Sequence, residues 1–370
     1  MWPRPDRVAL YLDANATEPL RPEARAAVLA ALDLPGNPSS VHAAGRAARR
    51  VLEVARDQVA ARFGAAPGDV VFTAGGTEAN ALAIHGLSAG RRVLVGATEH
   101  PAVLAAAPGA TLLPVRAYGT LDLDALAAAL DGPPALLCVM AANNETGVLH
   151  PMAQVAALAR AHGALLHVDA VQAAGRLPLS LAGLGADSLA ISGHKLGGPK
   201  GAGALLLRPG LALAPLIAGG GQERGRRGGT EALPAIAGLG AAAQAAEPDA
   251  AARLAALRDA IEAACLAMGA RVAGQGAPRL PNTTCLILPG AAAETQVIAL
   301  DLAGMQVSAG AACSSGKVGR SHVLAAMGEV EGGIRVSLPW NAPEDAAELF
   351  IQAWSAMRDR LSRRALVGAR

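Results

Sequence analysis

One pattern constrains this chain more than any other. Short apolar or β-branched runs at 69–73, 92–96, 135–140, 164–169 and 188–192 alternate with Ala-rich stretches of helical period at 22–32, 43–63, 78–87, 122–130 and 152–162. Strand and helix taking turns over so long a stretch predicts a parallel sheet covered by helices, an α/β fold. The run at 135–140, Ala-Leu-Leu-Cys-Val-Met, is apolar at every position, as a strand buried on both faces must be.

Beyond Pro234 the character changes. An Ala/Gly-rich helix is expected at 235–246, followed by a stretch to Gly269 whose charges (Glu247, Asp249, Arg253, Arg258, Asp259, Glu262) recur on a roughly helical period. Shorter apolar runs at 284–288, 306–308 and 333–338 and a last helix at 343–365 predict a smaller α+β unit. With 370 residues, two closely packed domains are expected.

Composition removes several classes of function. Hydrophobic residues make up 52% and charged residues 17%, which excludes a disordered chain. The 32 Lys and Arg against 30 Asp and Glu leave a net charge of +2, so nothing demands a nucleic acid or a membrane surface. Three Phe, three Trp and two Tyr are too few for base-stacking platforms. Cys138, Cys265, Cys285 and Cys313 have no CxxC spacing, which argues against a zinc knuckle and suits a reducing cytoplasm. Residues 1–13 carry Arg and Asp where a signal peptide needs an apolar run, and the expected location is cytoplasmic.

Several segments carry chemistry. Ser192-Gly193-His194-Lys195 ends a strand before a glycine-rich turn, a setting in which a lysine can lose its charge and form a Schiff base; it also reads as a surface lysine. Asp169 ends the run Leu165-Leu166-His167-Val168-Asp169, where a carboxylate could pair with a pyridinium nitrogen or simply cap the next helix. Thr73-Ala74-Gly75-Gly76-Thr77-Glu78-Ala79-Asn80 joins strand to helix and offers N–H groups and a hydroxyl to a phosphate, or is only a capped helix start. His100 could stack on a flat ring or be a polar core residue, and Asn144 could reach a ring hydroxyl or sit in a plain turn. The segment 219–230, rich in Gly and Arg, suits anion binding or is a surface loop. Cys313 lies among small residues (308–316), so its thiol is expected to be exposed and potentially nucleophilic, or it is a buried small residue. Arg335 could grip a carboxylate bidentately or make a salt bridge.

Together these segments resemble the cysteine desulfurases, a class V aminotransferase-like group of pyridoxal-phosphate enzymes. The resemblance runs from Tyr11-Leu12-Asp13 to the last helix. It is most specific at Ser192–Lys195 with Gly198-Pro199-Lys200-Gly201, at His167-Val168-Asp169-Ala170-Val171-Gln172, at 310–314 and at Asn37-Pro38-Ser39-Ser40-Val41-His42. It implies fold type I, with a large cofactor domain at 14–246 holding a mostly parallel, seven-stranded-type sheet. A small domain at 1–13 and 247–370 would carry the cysteine loop.

The resemblance also implies roles. Lys195 would bind pyridoxal 5'-phosphate and move the α-proton. Asp169 would pair with the ring nitrogen, His100 would stack on the ring, and Asn144 and Gln172 would bond the ring-hydroxyl region. Gly76, Thr77, Ser192, Gly193 and His194 would hold the phosphate, with Thr230 reaching over from the other subunit of a homodimer. Arg335, with Asn144, would hold the carboxylate of L-cysteine. Cys313 would take the sulfur as a persulfide and pass it to an acceptor protein, iron–sulfur cluster assembly being the expected destination. Gln222 departs from the His common after the triple Gly. Selenocysteine lyase, or another β-lyase or aminotransferase on the same fold, is the alternative, and a non-catalytic scaffold a more distant one.

Overall fold

The computed structural model describes residues 9–246, 248–310 and 320–368. After a two-residue strand β1 (Leu10–Tyr11), helices α1 (Pro22–Leu32) and α2 (Ala43–Phe63) lead into the first strand of the main sheet, β2 (Val70–Thr73). Helix α3 (Gly76–Leu87), strand β3 (Arg92–Gly96), helix α4 (Pro101–Ala106), strand β4 (Thr111–Leu113) and helix α5 (Leu123–Leu130) follow. The unit continues with β5 (Ala135–Met140), α6 (Met152–Ala161), β6 (Leu165–Asp169), β7 (Ser188–Ser192), β8 (Gly203–Leu207) and α7 (Leu233–Ala245).

These strands form one seven-stranded sheet in the order β2-β8-β7-β6-β5-β3-β4. It is parallel except at β8, which runs antiparallel to both its neighbours. The parallel sheet expected from the alternation is present, in the mostly parallel, seven-stranded form that the resemblance implies. Its inner strand β5 is apolar throughout because successive side chains enter different cores. Ala135, Leu137 and Val139 join one core, with residues of α2, α6 and α7, while Leu136 and Cys138 join the other, with residues of α3 and α4. Two strands of this sheet lie outside the runs expected from the sequence. β4 lies at a sheet edge, with Leu112 exposed, and β8 follows the glycine-rich turn.

The last third builds a second core. Helix α8 (Ala251–Ala267) is followed by β9 (Arg271–Val272), β10 (Thr283–Ile287), α9 (Ala293–Leu302), β11 (Met305–Gln306) and β12 (Ser308–Ala309). Helix α10 (His322–Ala326), strand β13 (Ile334–Ser337) and helix α11 (Ala346–Gly368) complete it. Its antiparallel sheet runs β12-β13-β10-β9, and its core includes Leu10 and Leu12 from the start of the chain. The apolar run expected at 306–308 is divided. β11 pairs with β1, whereas β12 pairs with β13, so the chain changes sheets at Val307. No helix among the described residues is long and apolar enough to cross a membrane.

Candidate active site

The chain passes from β3 outward to β4, then returns to the far side of β3 to lay down β5, β6 and β7. Such a reversal opens a crevice at the carboxyl ends of the strands, the place where ligands bind in open α/β sheets. Here it holds a cavity of about 770 Å³.

Asp169, the last residue of β6, lines this cavity and is buried. Burial pushes its carboxyl above the usual range. The Val171 N–H, His100, the Asn80 amide and Lys195 all pull it back toward the ionised form. Its Oδ1 accepts from Val171 N at 2.9 Å and its Oδ2 from Asn80 Nδ2 at 2.8 Å.

Lys195 ends the tight turn Gly193–Lys195 that follows β7. Gly193 is buried in that turn, and a Cβ there would lie 3.0 Å from the carbonyl oxygens of Ala202 and Pro199. The turn is therefore packed to a single conformation behind the lysine. Lys195 Nζ reaches across the cavity and donates to the Asn15 carbonyl and, at 2.8 Å, to that of Ala16.

His100 caps α4, its Nδ1 accepting from Ala102 N at 3.1 Å. A neutral ring in that pose carries its proton on Nε2. Burial lowers the pKa of this ring, with Asp169 opposing and Lys195 reinforcing, so the neutral form is the one present near pH 7. Asn144, in the turn after β5, lines the cavity, and its carbonyl accepts from Asn15 Nδ2 and Arg335 Nη1, both at 3.1 Å. Gln172 also lines the cavity, with Nε2 donating to Asn15 O at 3.0 Å and Oε1 accepting from Arg176.

One end of the cavity is an anion cradle. Helix α3 starts at Gly76 with no side chain capping its first N–H groups, and Thr77 follows. A Cβ on Gly76 would lie 2.7 Å from Val171 Cγ2 and 3.3 Å from Ser192 Cβ, so the close approach depends on glycine. Ser192 Oγ is buried without a hydrogen-bond partner among the described residues, although it faces this helix start. His194 Nδ1 meets Thr17 Oγ1 at 3.1 Å, and burial lowers its pKa to about 4, leaving a neutral ring. Lys200 also lines the cavity.

Nine of the residues singled out from the sequence thus share one cavity: Gly76, Thr77, His100, Asn144, Asp169, Gln172, Ser192, His194 and Lys195. Gly193 sits behind its wall. Thr230 is exposed and lines a smaller neighbouring cavity with Arg227 and Gly201. Arg335 is buried beside Asn144 and pairs with Asp13, outside the cavity wall. Cys313 lies outside the described residues. Asn80, Lys200, Asn15 and Thr17 also face or border this cavity and have no role in the sequence patterns above. Asn80 and Lys200 stand inside quoted motifs, which was the one signal available.

The model of the family described as aminotransferase class-V matches residues 10–350. A curated cysteine desulfurase of Cereibacter sphaeroides is 44% identical over 370 residues, covering 95% of this chain and 93% of its own. The chain belongs to the cysteine desulfurases of the class-V aminotransferase family. Among solved structures, a NifS-like protein from Rickettsia africae superposes with a TM-score of 0.88 at 32% identity, covering 95% of this chain and 99% of its own. A chain solved as SspA in complex with cysteine superposes at 0.80 with 30% identity, covering 89% and 99%.

Cysteine desulfurases of this family depend on pyridoxal phosphate and act on L-cysteine. The residues present fit that cofactor. The unpartnered Ser192 Oγ and the uncapped start of α3 offer donors for a phosphate, and Lys195 and Asp169 lie on the walls of the same cavity.

Proposed function

We propose that this chain converts L-cysteine to L-alanine and retains the sulfur as a persulfide on Cys313. The observation carrying this reading is the convergence of Lys195, Asp169, His100 and the anion cradle on one cavity. When bound, pyridoxal phosphate supplies an electrophilic carbon for the substrate amine and a ring that withdraws electrons from Cα. Gly76, Thr77, Ser192, Gly193 and His194 hold its phosphate, Asp169 its ring nitrogen, Asn144 and Gln172 the region of its hydroxyl, and His100 its face.

The chain's own groups do the rest. Arg335, with Asn144, binds the substrate carboxylate. Lys195 Nζ, freed from its backbone carbonyls, takes the Cα proton and returns a proton to carbon. Cys313 thiolate attacks the substrate sulfur. The C–S bond breaks with its electron pair going to carbon, an S–S bond forms, and carbon takes up a proton. The net change is L-cysteine plus Cys313–SH giving L-alanine plus Cys313–S–SH, in balance. An acceptor protein then removes the outer sulfur, for iron–sulfur cluster assembly. We further read the enzyme as a cytoplasmic homodimer, with Thr230 completing the partner's phosphate site.

The test is L-alanine released from L-cysteine, with and without a reducing thiol, by wild type and Cys313→Ser. Alanine that depends on Cys313, and turns over only with reductant, supports the reading. Full alanine release from Cys313→Ser overturns the persulfide step. Intact cofactor without alanine points to selenocysteine or another pyridoxal-phosphate reaction.

A further inference from the structure

Behind Asp169 lies a row of polar groups that the mechanism above does not use. Ser188 Oγ is 2.8 Å from His167 Nδ1, His167 Nε2 is 3.0 Å from Asn80 Oδ1, and Asn80 Nδ2 is 2.8 Å from Asp169 Oδ2. Ser188 and His167 are fully buried and Asn80 is 1% exposed. Ser188 and His167 are paired across β6 and β7, and Asn80 comes from the first turns of α3. Two strands and a helix thus converge to carry one line of hydrogen bonds into the cavity wall.

The line has a direction. An amide oxygen only accepts, so His167 Nε2 must donate to Asn80 Oδ1. Burial drops the His167 pKa to about 3, so the ring is neutral and has a single ring proton. Its Nδ1 is then an acceptor, and Ser188 must give its hydroxyl proton. Every donor points toward Asp169. The opposite direction needs a proton on Asp169, a reversed Asn80 amide and the other His167 tautomer, all at once. A proton on Asp169 Oδ2 alone would weaken the bond that this oxygen accepts from the buried Asn80 amide.

We propose that Ser188, His167 and Asn80 form a one-way hydrogen-bond chain that keeps Asp169 ionised and correctly oriented, with His167 as its central positioning residue. The proposal rests on the reading that Asp169 pairs with the cofactor's ring nitrogen. A buried carboxylate left to itself would favour its neutral form. The other titratable groups that act on Asp169 or on its immediate surroundings are His100, Lys195 and Glu99. Lys195 assists ionisation, His100 does so only when its ring is protonated, and the buried Glu99 raises no obstacle while it stays protonated, as its own burial favours.

The experiment uses the holoenzyme and three variants: His167→Phe, His167→Gln and Asp169→Asn. Gln can place an N–H where His167 Nε2 stands, and Phe cannot. Expected for His167→Phe is an upward shift of about one unit in the pH at which the cofactor's visible band changes, and a roughly tenfold or greater fall in kcat, with KM moving little. His167→Gln should return both toward wild type. In the wild type, ¹⁵N spectra of labelled histidine should show His167 as the Nε2–H tautomer, untitrated between pH 5.5 and 8.5, a reading that needs no variant to fold. An Nδ1–H tautomer or an imidazolium overturns the proposal. So does a folded His167→Phe with an unshifted band when Asp169→Asn shifts it. An unshifted band in Asp169→Asn instead removes the underlying reading of Asp169, and the proposal with it.

Discussion

Asp13 Oδ1 accepts from Arg335 Nη2 at 2.7 Å, and the other carboxylate oxygen of Asp13 accepts from Ser308 Oγ, also at 2.7 Å. The guanidinium read as the substrate-carboxylate grip therefore already has a resident counter-ion. It keeps its Nε–H without a partner among the described residues. Asp13 steadies the charge of Arg335 and fixes its plane while leaving part of its fork for a ligand.

Removing Asp13 should expose that dependence. Asp13→Ala leaves Arg335, 1% exposed, as a buried unpaired charge, and a loss of about 3 kcal/mol in stability is expected. Chemical denaturation checks this. Arg335→Lys keeps the charge but loses the planar fork, and KM for L-cysteine should rise about tenfold with a smaller change in kcat.

The anion cradle gives a second prediction. Gly76→Ala places a methyl 2.7 Å from Val171 Cγ2. The start of α3 must shift, at a cost of about 1–3 kcal/mol. Pyridoxal-phosphate affinity, measured by dialysis and visible absorbance, should fall more than the melting temperature does. Ser192→Ala, which only removes the unpartnered Oγ, should weaken cofactor binding roughly tenfold and leave the fold's stability nearly unchanged.

Lys195→Ala should abolish both the visible band of the holoenzyme and turnover. The anion cradle is untouched by this change, so the cofactor should still bind, more weakly, as the free aldehyde. Equilibrium dialysis separates the two effects.

Acid should destabilise the fold through its buried imidazoles. Burial lowers the pKa of His150 from 6.5 to about 4 and that of His167 from 6.5 to about 3. Unfolding lets both rings bind protons below pH 6.5, so the unfolded state binds more protons there and stability falls as pH drops. The contribution is fully present above pH 6.5 and is lost progressively down to about pH 3–4. The total is several kcal/mol. Denaturant midpoints measured from pH 8 to 5 should fall, and His150→Phe should flatten part of that slope.

The Gly-rich segment is pinned to its own subunit. Arg56 Nη1 and Nη2 each donate to the Glu223 carboxylate at 2.8 Å, and Phe72 N–H donates to the same carboxylate at 2.9 Å. Glu223 adopts a left-handed backbone with φ of 47°, a strained conformation that this clamp helps to hold. Glu223→Gln should cost about 3 kcal/mol by leaving the buried Arg56 with only the part-exposed Glu53, 3.1 Å from its Nε, as a counter-charge. The double change Arg56→Met with Glu223→Leu should cost less than the sum of the two single changes, which a double-mutant cycle measures.

What could be read in advance follows a physical line. Strand β5 was legible because burial on both faces demands an unbroken apolar run, and β6 and β7 from the apolar residues at their centres. β4 was not, since its short edge run lies between Pro108 and Pro114 and Leu112 faces solvent. β11 and β12 read as one strand because no residue at 305–309 marks a change of sheet; only the partners do. In the site, Asp169 and Lys195 were legible from their places at strand ends. The pairing of Asp13 with Arg335 joins residues 322 apart in the chain, and no local pattern encodes it. His167 was passed over because a histidine within an apolar run looks like a satisfied core residue, and the line from Ser188 to Asp169 forms only when α3 packs on the sheet.

The change of sheet at Val307 also sets a timetable. Leu10 pairs with Met305, so β1 waits for a partner made nearly three hundred residues later. At roughly 5–20 residues per second, that delay is about 15–60 s. The strands of the main sheet are complete at Leu207 and helix α7, which covers one of its faces, at Ala245, so this unit can assemble in the interval while β1 still lacks its partner. The second core closes only when both ends of the chain meet, so an incomplete chain carries a finished cofactor cradle with no Arg335 beside it.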